Sequence, residues 1–189
     1  MGYELRSARF LAAEALEKAI QPGDTVVDAT MGNGHDTAFL CSLVGEGGLV
    51  YAFDVQEDAV SRTRDRLREA GLLQRARLFR LGHEHMAEQV QGLVSAVVFN
   101  LGWLPGGDHS VTTRWETTRR AVESALGLLQ PLGILVICAY PGHPEGDRER
   151  AALYDLLSAL PPQQFNVLWH KFLNAGPGAP ECFVIQKQR

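Results

Sequence analysis

Short β-branched and aliphatic runs alternate along this chain with longer stretches in which apolar residues return every third or fourth position. Residues 5–20 set Ala8, Leu11, Ala12, Ala15 and Ala19 on one helical stripe with charges opposite, and Pro22-Gly23-Asp24 stops it, so 1–22 reads as a covering helix. Val26-Val27 opens a first strand, 37–44 continue as helix, and Gly45–Gly48 break it before a second strand, Leu49–Phe53. Gln56–Ala70, rich in Arg and Glu, reads as a solvated helix, and Ala76–Leu81 as a third strand. The fourth run, Ser95–Phe99, is too uniformly apolar for an exposed strand and is expected at the centre, buried on both faces. Thr117–Leu129 is helical by spacing, with Pro131-Leu132-Gly133 as its stop. Ile134–Tyr140 is then a fifth strand, and 147–160 a helix ended by Pro161-Pro162. Two last extended runs, Phe165–Leu173 and Cys182–Gln186, form a hairpin within 163–189 whose loop is too long for a tight turn.

Strands that alternate with helices require right-handed crossovers and a parallel sheet, to which a terminal hairpin adds one antiparallel strand. The expected fold is therefore α/β, a doubly wound, mostly parallel, seven-stranded Rossmann-like sheet. With 189 residues, 46% hydrophobic and 21% charged, the chain suits one domain over 1–189. Three widely spaced cysteines, Cys41, Cys138 and Cys182, argue against a disulfide framework and for a reducing, cytoplasmic setting. No apolar run approaches the roughly 18 residues of a membrane helix, and Glu4, Arg6, Arg9 and Glu14 stand where a signal peptide would be apolar. A soluble, unprocessed protein is expected. A net charge of −4 provides no overall attraction for nucleic acid, so any RNA contact must be local or lie on a homodimer surface.

The turn after the first strand, Asp28-Ala29-Thr30-Met31-Gly32-Asn33-Gly34-His35-Asp36-Thr37, carries the first candidate chemistry. Two glycines let a ligand approach the backbone where strand passes into helix, as in a nucleotide-type loop; the bland alternative is a tight βα turn. A dinucleotide fingerprint has a third small residue and no acid just ahead of its first glycine, whereas here Asp28 leads D-x-x-x-G-x-G and Thr37 takes the third place. The acid points to S-adenosylmethionine, whose ammonium and sulfonium favour nearby carboxylates and whose own carboxylate can meet N–H groups at a helix start. Asp54 follows Gly34 by about 20 residues, the spacing of an acid that takes ribose hydroxyls; otherwise it is a helix cap or a turn acid.

Gly82-His83-Glu84-His85 lacks the H-E-x-x-H spacing, so no metal is expected, and His83 or Glu84 is read as lining the adenine. Asn100-Leu101-Gly102-Trp103, at the tip of the central strand, resembles the N-P-P-aromatic loop of methyltransferases that act on exocyclic amino groups. There the Asn carbonyl accepts amine hydrogens and the aromatic stacks on the base. The alternative for Trp103 is a core aromatic. His143, at the tip of the fifth strand, either touches substrate or caps the following helix.

Together, Thr30–Thr37, Ala52-Phe53-Asp54-Val55-Gln56, Phe99–Asp108 and Gly142-His143-Pro144-Glu145-Gly146 resemble a family of small bacterial methylases long labelled rRNA methylases. Members are assigned as 5-aminomethyl-2-thiouridine methyltransferases of the tRNA wobble uridine, and the likeness spans nearly the whole chain. The chain departs from the family at 174–180, where Asn174 is followed by Ala175-Gly176-Pro177-Gly178-Ala179-Pro180. The resemblance implies a class I S-adenosylmethionine-dependent methyltransferase fold. It places the cofactor on Asp28, Met31, Gly32, Asn33, Gly34, His35, Asp36 and Thr37, on Asp54, Val55 and Gln56, and on His83, Asn100, Leu101 and Gly102. Asn100, Trp103, Asp108 and His109 are the catalytic candidates, and Trp103, His143 and Asn174 the candidates for holding substrate, a tRNA anticodon arm. An alkylamine with a free pKa of about 10.4 must lose a proton before it attacks, and Asp108, His109 or His143 is placed in sequence to receive it. Competing readings are a small-molecule amine or rRNA methyltransferase on the same fold, and a non-catalytic cofactor binder.

Overall fold

In the computed structural model, described here for residues 7–104, 106–108 and 110–189, seven strands form one sheet. In chain order the elements are α1 (Ala8–Ala19), β1 (Thr25–Asp28), α2 (His35–Val44), β2 (Leu49–Asp54), α3 (Glu57–Glu69), β3 (Ala76–Arg80), α4 (Met86–Gln89), β4 (Val94–Asn100), α5 (Trp115–Leu128), β5 (Leu129–Ala139), α6 (Pro144–Ser158), β6 (Phe165–His170) and β7 (Glu181–Lys187). The strand order is β3-β2-β1-β4-β5-β7-β6; β1 to β5 pair in parallel, and β7 lies antiparallel between β5 and β6.

Alternation along each strand divides the core into two layers, because successive side chains leave a strand on opposite faces. Val27, Tyr51, Phe53, Val97 and Phe99 pack with Met86, Ala121, Ala125, Leu153 and Leu157 of α4, α5 and α6. Val26, Val50, Ala96, Val98, Val136 and Cys138 pack with Ala12, Leu16, Leu40, Val44 and Leu67 of α1, α2 and α3. β4 is buried at every position but Asn100, as a run that reads apolar throughout should be.

The boundaries differ from the sequence pattern where backbone chemistry overrides it. Pro131-Leu132-Gly133 lies inside β5 instead of forming the stop between helix and strand. The β4–β5 register shifts between Val94 and Ala96, and Leu132 takes a φ of 65°, so the proline sits at an irregularity where its missing N–H costs no ladder bond. Gly133 permits this, since a Cβ there would meet the Gln130 carbonyl at 2.9 Å and the Ser95 carbonyl at 3.1 Å. α6 starts earlier than the apolar spacing suggests, with Pro144 in the first turn and His143 as its N-cap. The extended run from 165 ends at His170, and Leu173 stands in the loop, 94% exposed.

The chain runs from β1 outward through β2 to β3 and then returns to β4 on the other side of β1. The crossovers on the two sides of this switch point diverge and open a crevice at the carboxyl ends of the strands. The tips of β1, β2, β4 and β5 all face it.

Candidate functional site

At that switch point lies a cleft of about 750 Å³. Its floor is the β1–α2 loop, and the loop's shape is set from beneath. Asp28 is fully buried; it accepts the Thr37 hydroxyl at 2.6 Å and the Thr30 N–H at 3.2 Å. Burial, then the nearby Asp36 charge, pushes its carboxyl up to about 7, against the opposing pull of these two hydrogen bonds. Gly34 sits at φ 77°, and a Cβ there would lie 2.8 Å from Thr63 of α3. Asp28, Gly34 and Thr37 therefore support the loop and do not line the cleft, which departs from the direct ligand contacts expected of them.

α3 clamps the same loop. Thr63 donates its hydroxyl to the Gly32 carbonyl at 3.0 Å, Arg66 Nε donates to the Asn33 carbonyl at 2.8 Å, and Arg62 reaches Asn33 Oδ1 at 3.1 Å. Part of what reads as a solvated Arg-rich face thus holds loop backbone. His35 sits 3.2 Å from Arg66 Nη2, and burial together with Arg66 and Arg9 lowers its pKa.

Asp54 ends β2 with its carboxylate beside the glycine loop, where Oδ2 accepts the Gly32 N–H at 3.1 Å and Oδ1 accepts the Gln56 N–H at 3.0 Å. The Val55 N–H adds a third backbone donor, so the backbone fixes the carboxylate while lone-pair capacity remains for a ligand. Burial raises its pKa against these backbone bonds. Met31, Gly32, Asn33, Val55 and Gln56 surround it, and His83, which is 8% exposed and tilted against Phe99 at 5.5 Å, closes this end with Glu84. Burial holds His83 below the usual histidine range.

Asn100 stands at the other end. Its backbone N–H donates to the Thr30 hydroxyl at 2.7 Å, tying the tips of β1 and β4 together. Its side-chain Nδ2 donates to Asp36 Oδ2 at 2.6 Å, so Oδ1 is the face turned toward Tyr140, whose hydroxyl donates to it at 3.3 Å. Asp36 Oδ1 in turn accepts from Arg9 Nη2 at 2.7 Å. Arg9 and Tyr140 both line the cleft, and the sequence reading assigned neither.

The loop after Asn100 doubles back on itself. Trp103 bridges to Thr112, Thr113 N–H donates to the Gly102 carbonyl at 3.0 Å, and Gly102 N–H donates to the Thr113 hydroxyl at 2.8 Å. Beneath it the buried Glu149 accepts from Thr113 Oγ1 at 2.7 Å and from Thr118 Oγ1 at 2.5 Å. Trp103 is half-buried in the wall, its ring 4.4 Å from that of His143 and inclined by 49°, so it is not a core aromatic. His143 Nδ1 accepts the Gly146 N–H at 3.2 Å as the cap of α6, which puts the proton of a neutral ring on Nε2.

Leu101, Gly102, Trp103 and His143 thus join Asn100 in the cleft, while two expected residues stay outside it. Asp108 is exposed, with Oδ1 accepting the Ser110 N–H at 2.8 Å, and Asn174 is exposed in the β6–β7 loop. His109 lies outside the described residues. Pro180 of the β6–β7 loop does reach the cleft, as do Arg114 and Thr117 at the start of α5. Among the described residues no group of three or more His, Cys, Asp or Glu side chains could hold a metal, and no helix is long and apolar enough to cross a membrane.

A family profile described as "Putative rRNA methylase" matches residues 50–186. The chain is 39% identical over 193 residues to the chloroplastic tRNA (mnm(5)s(2)U34)-methyltransferase of Arabidopsis thaliana, covering 97% of this chain and 70% of that protein. Among solved structures, a putative rRNA-methylase from Clostridium thermocellum superposes with a TM-score of 0.96 at 38% identity, over 98% of this chain and 100% of that one. A putative methyltransferase from Streptococcus mutans in complex with SAH superposes with a TM-score of 0.90 at 34% identity, over 97% and 99% of the two chains.

Proposed function

The chain belongs to the rRNA methylase family, and from that premise we propose that it is an S-adenosylmethionine-dependent N-methyltransferase acting on the 5-aminomethyl group of 5-aminomethyl-2-thiouridine at the wobble position of tRNA. We further read it as a single catalytic domain that works in the cytoplasm on the anticodon arm. The observation that supports this most is the convergence, in one cleft, of an acid beside a glycine loop with an asparagine whose carboxamide is held in one orientation.

The donors and acceptors fit S-adenosylmethionine. Asp54 offers its remaining acceptor capacity to the ribose hydroxyls, the apolar walls beside Val55 and His83 suit an adenine, and the loop from Met31 to Asp36 borders the space left for the amino-acid end. When bound, that cofactor supplies an electrophilic methyl group on a sulfonium.

The chain's own residues supply position. Asn100 Oδ1 accepts a hydrogen of the incoming amine, which aims the nitrogen lone pair into the cleft, and this contact strengthens as the nitrogen gains positive charge. Trp103 offers a face on which an unstacked uracil can lie, and such stacking needs no strongly basic surface. His143 Nδ1 is committed to capping and Asp108 lies outside the cleft, so we read the amine as entering without its extra proton.

The test is transfer of a labelled methyl group into tRNA from a strain that stops at the aminomethyl stage, with nucleoside mass spectrometry to locate the label. Label in 5-methylaminomethyl-2-thiouridine supports the reading. Label in rRNA or in a small amine, with none in that tRNA, would overturn the substrate assignment.

A further inference from the structure

Asp36 borders the space for the cofactor's amino-acid end and could orient Asn100 alone, so its pairing with Arg9 calls for a separate reason. Arg9 comes from the covering helix α1, reaches across to the first turn of α2, and lies in the cleft wall with its side chain 56% exposed. An exposed surface pair contributes little to stability, so its value is better sought in what it does to the charge of the site.

That charge matters because of what the substrate must become. A primary alkylamine is an ammonium at neutral pH, and an ammonium has no lone pair with which to attack. A carboxylate beside the acceptor Asn100 Oδ1 would stabilise the ammonium and raise its pKa. Asp36 is such a carboxylate, joined to the same carboxamide by a 2.6 Å bond. Arg9, 2.7 Å from its other oxygen, offsets that charge.

We propose that Arg9 is a positioning and charge-neutralising residue that lets Asp36 orient Asn100 without holding the substrate amine in its unreactive ammonium form. The proton is lost to solvent water before attack. The acceptor presented to the amine is then a neutral carboxamide beside a neutralised pair, and the cleft selects amines over ammonium ions. This rests on the amine-methylation reading above.

The neighbouring groups agree with that arrangement. Around Asp36 and Asn100 stand Arg9 from α1, the buried Asp28 at the end of β1, His35 on α2 with Arg66 of α3 behind it, Tyr140 and Cys138 of the β5 end, and Cys182 on β7. Burial pushes the Tyr140 hydroxyl up to about 12, and a side-chain hydrogen bond to Cys182, then burial, raises the Cys138 thiol, so near neutral pH neither adds a charge. Arg9 itself is raised, chiefly by its bond to Asp36, and stays charged throughout. Asp28 is pushed up to about 7, and burial, then Arg66 and Arg9, lower His35; since Asp36 acts on the first and Arg9 on the second, the amine-specific binding comparison below distinguishes their response from that of the substrate.

Removing Arg9 leaves the Asp36 charge unopposed across the Asn100 carboxamide from the amine, and an unopposed charge so placed raises an amine pKa by roughly one unit or more. For Arg9→Gln, the single-turnover rate plotted against pH, at saturating S-adenosylmethionine and tRNA, should shift upward by about one unit. The rate should fall about tenfold near neutrality and return to the wild-type plateau at alkaline pH. Arg9→Lys should restore the wild-type midpoint, and Arg9→Gln combined with Asp36→Asn should bring it back by removing both charges.

Binding offers a second readout. In the presence of S-adenosylhomocysteine at neutral pH, Arg9→Gln should favour tRNA carrying the aminomethyl group, over the same tRNA lacking it, several-fold more than wild type does. A variant that binds the amine better yet methylates it more slowly is not what a packing defect produces. An unshifted midpoint, or a plateau lowered equally at all pH values, would overturn the role given to Arg9. If the wild-type protein methylates no aminomethyl-bearing tRNA at all, the functional reading itself fails and takes this inference with it.

Discussion

Glu149 is a buried carboxylate far from the cofactor half of the cleft, and its removal tests how the Asn100–Thr113 loop is held. The side chain is 4% exposed and accepts from two hydroxyls, Thr113 Oγ1 and Thr118 Oγ1. In Glu149→Ala both lose their acceptor. Thr118, fully buried in the first turn of α5, would ordinarily turn to the carbonyl one turn back. That carbonyl, of Arg114, already accepts from the Thr117 and Thr118 N–H groups and from the Thr117 hydroxyl. Each stranded hydroxyl costs about 1–3 kcal/mol, partly offset because burial disfavours the carboxylate, as its raised pKa indicates. A net loss of about 3 kcal/mol is expected from urea unfolding followed by tryptophan fluorescence. Because Thr113 also holds both backbone groups of Gly102, the methylation rate should fall at least tenfold while S-adenosylmethionine affinity stays within a few-fold. Glu149→Gln keeps one acceptor and should lose only about 1 kcal/mol. An alanine variant within about 0.5 kcal/mol of wild type and normally active would refute the claim that this carboxylate anchors the loop.

Three further outcomes are expected. Asp54→Ala should weaken S-adenosylmethionine binding by roughly 1.5–3 kcal/mol in calorimetry, the value of a hydrogen bond to a charged group, with no gain of NAD binding. Asn100→Ala should lower the single-turnover rate about 10²-fold with cofactor affinity changed only a few-fold; a normal rate would end its amine-orienting role. For Asp28, whose carboxyl is raised from 3.8 to about 7, the folded state keeps a proton that the unfolded chain has lost across that window. Its contribution to stability is therefore full below about pH 4 and declines, by something of order 4 kcal/mol, as pH rises to about 7. Asp28→Asn should flatten that part of the stability profile, and an unchanged slope would show that another group carries it.

The sheet was legible in the sequence because its signals are local. A buried parallel strand must be apolar on both faces, as Ser95–Phe99 is, and a helix on one face must repeat its apolar positions, as 117–129 do. The candidate cleft follows from one topological rule, that strand tips of a doubly wound sheet share an edge, which brings Asp28, Gly32, Asp54 and Asn100 together, and the last three line the cleft. What sequence spacing could not express is which way a side chain turns once it reaches that edge. Asp28 and Asp54 both end strands beside the glycine loop, yet the first faces inward to Thr37 and the second outward to the cleft. Arg9 carried no motif, since its partner Asp36 is distant in sequence and the pairing exists only because α1 packs on the β4–β5–β7 face beside the start of α2. Glu149 was likewise silent, one acid among several on a charged helix, until the fold buried it beneath two threonines. Periodicity determines which face of an element is apolar; the tertiary structure alone decides which polar groups meet across elements, because those contacts depend on how the layers pack.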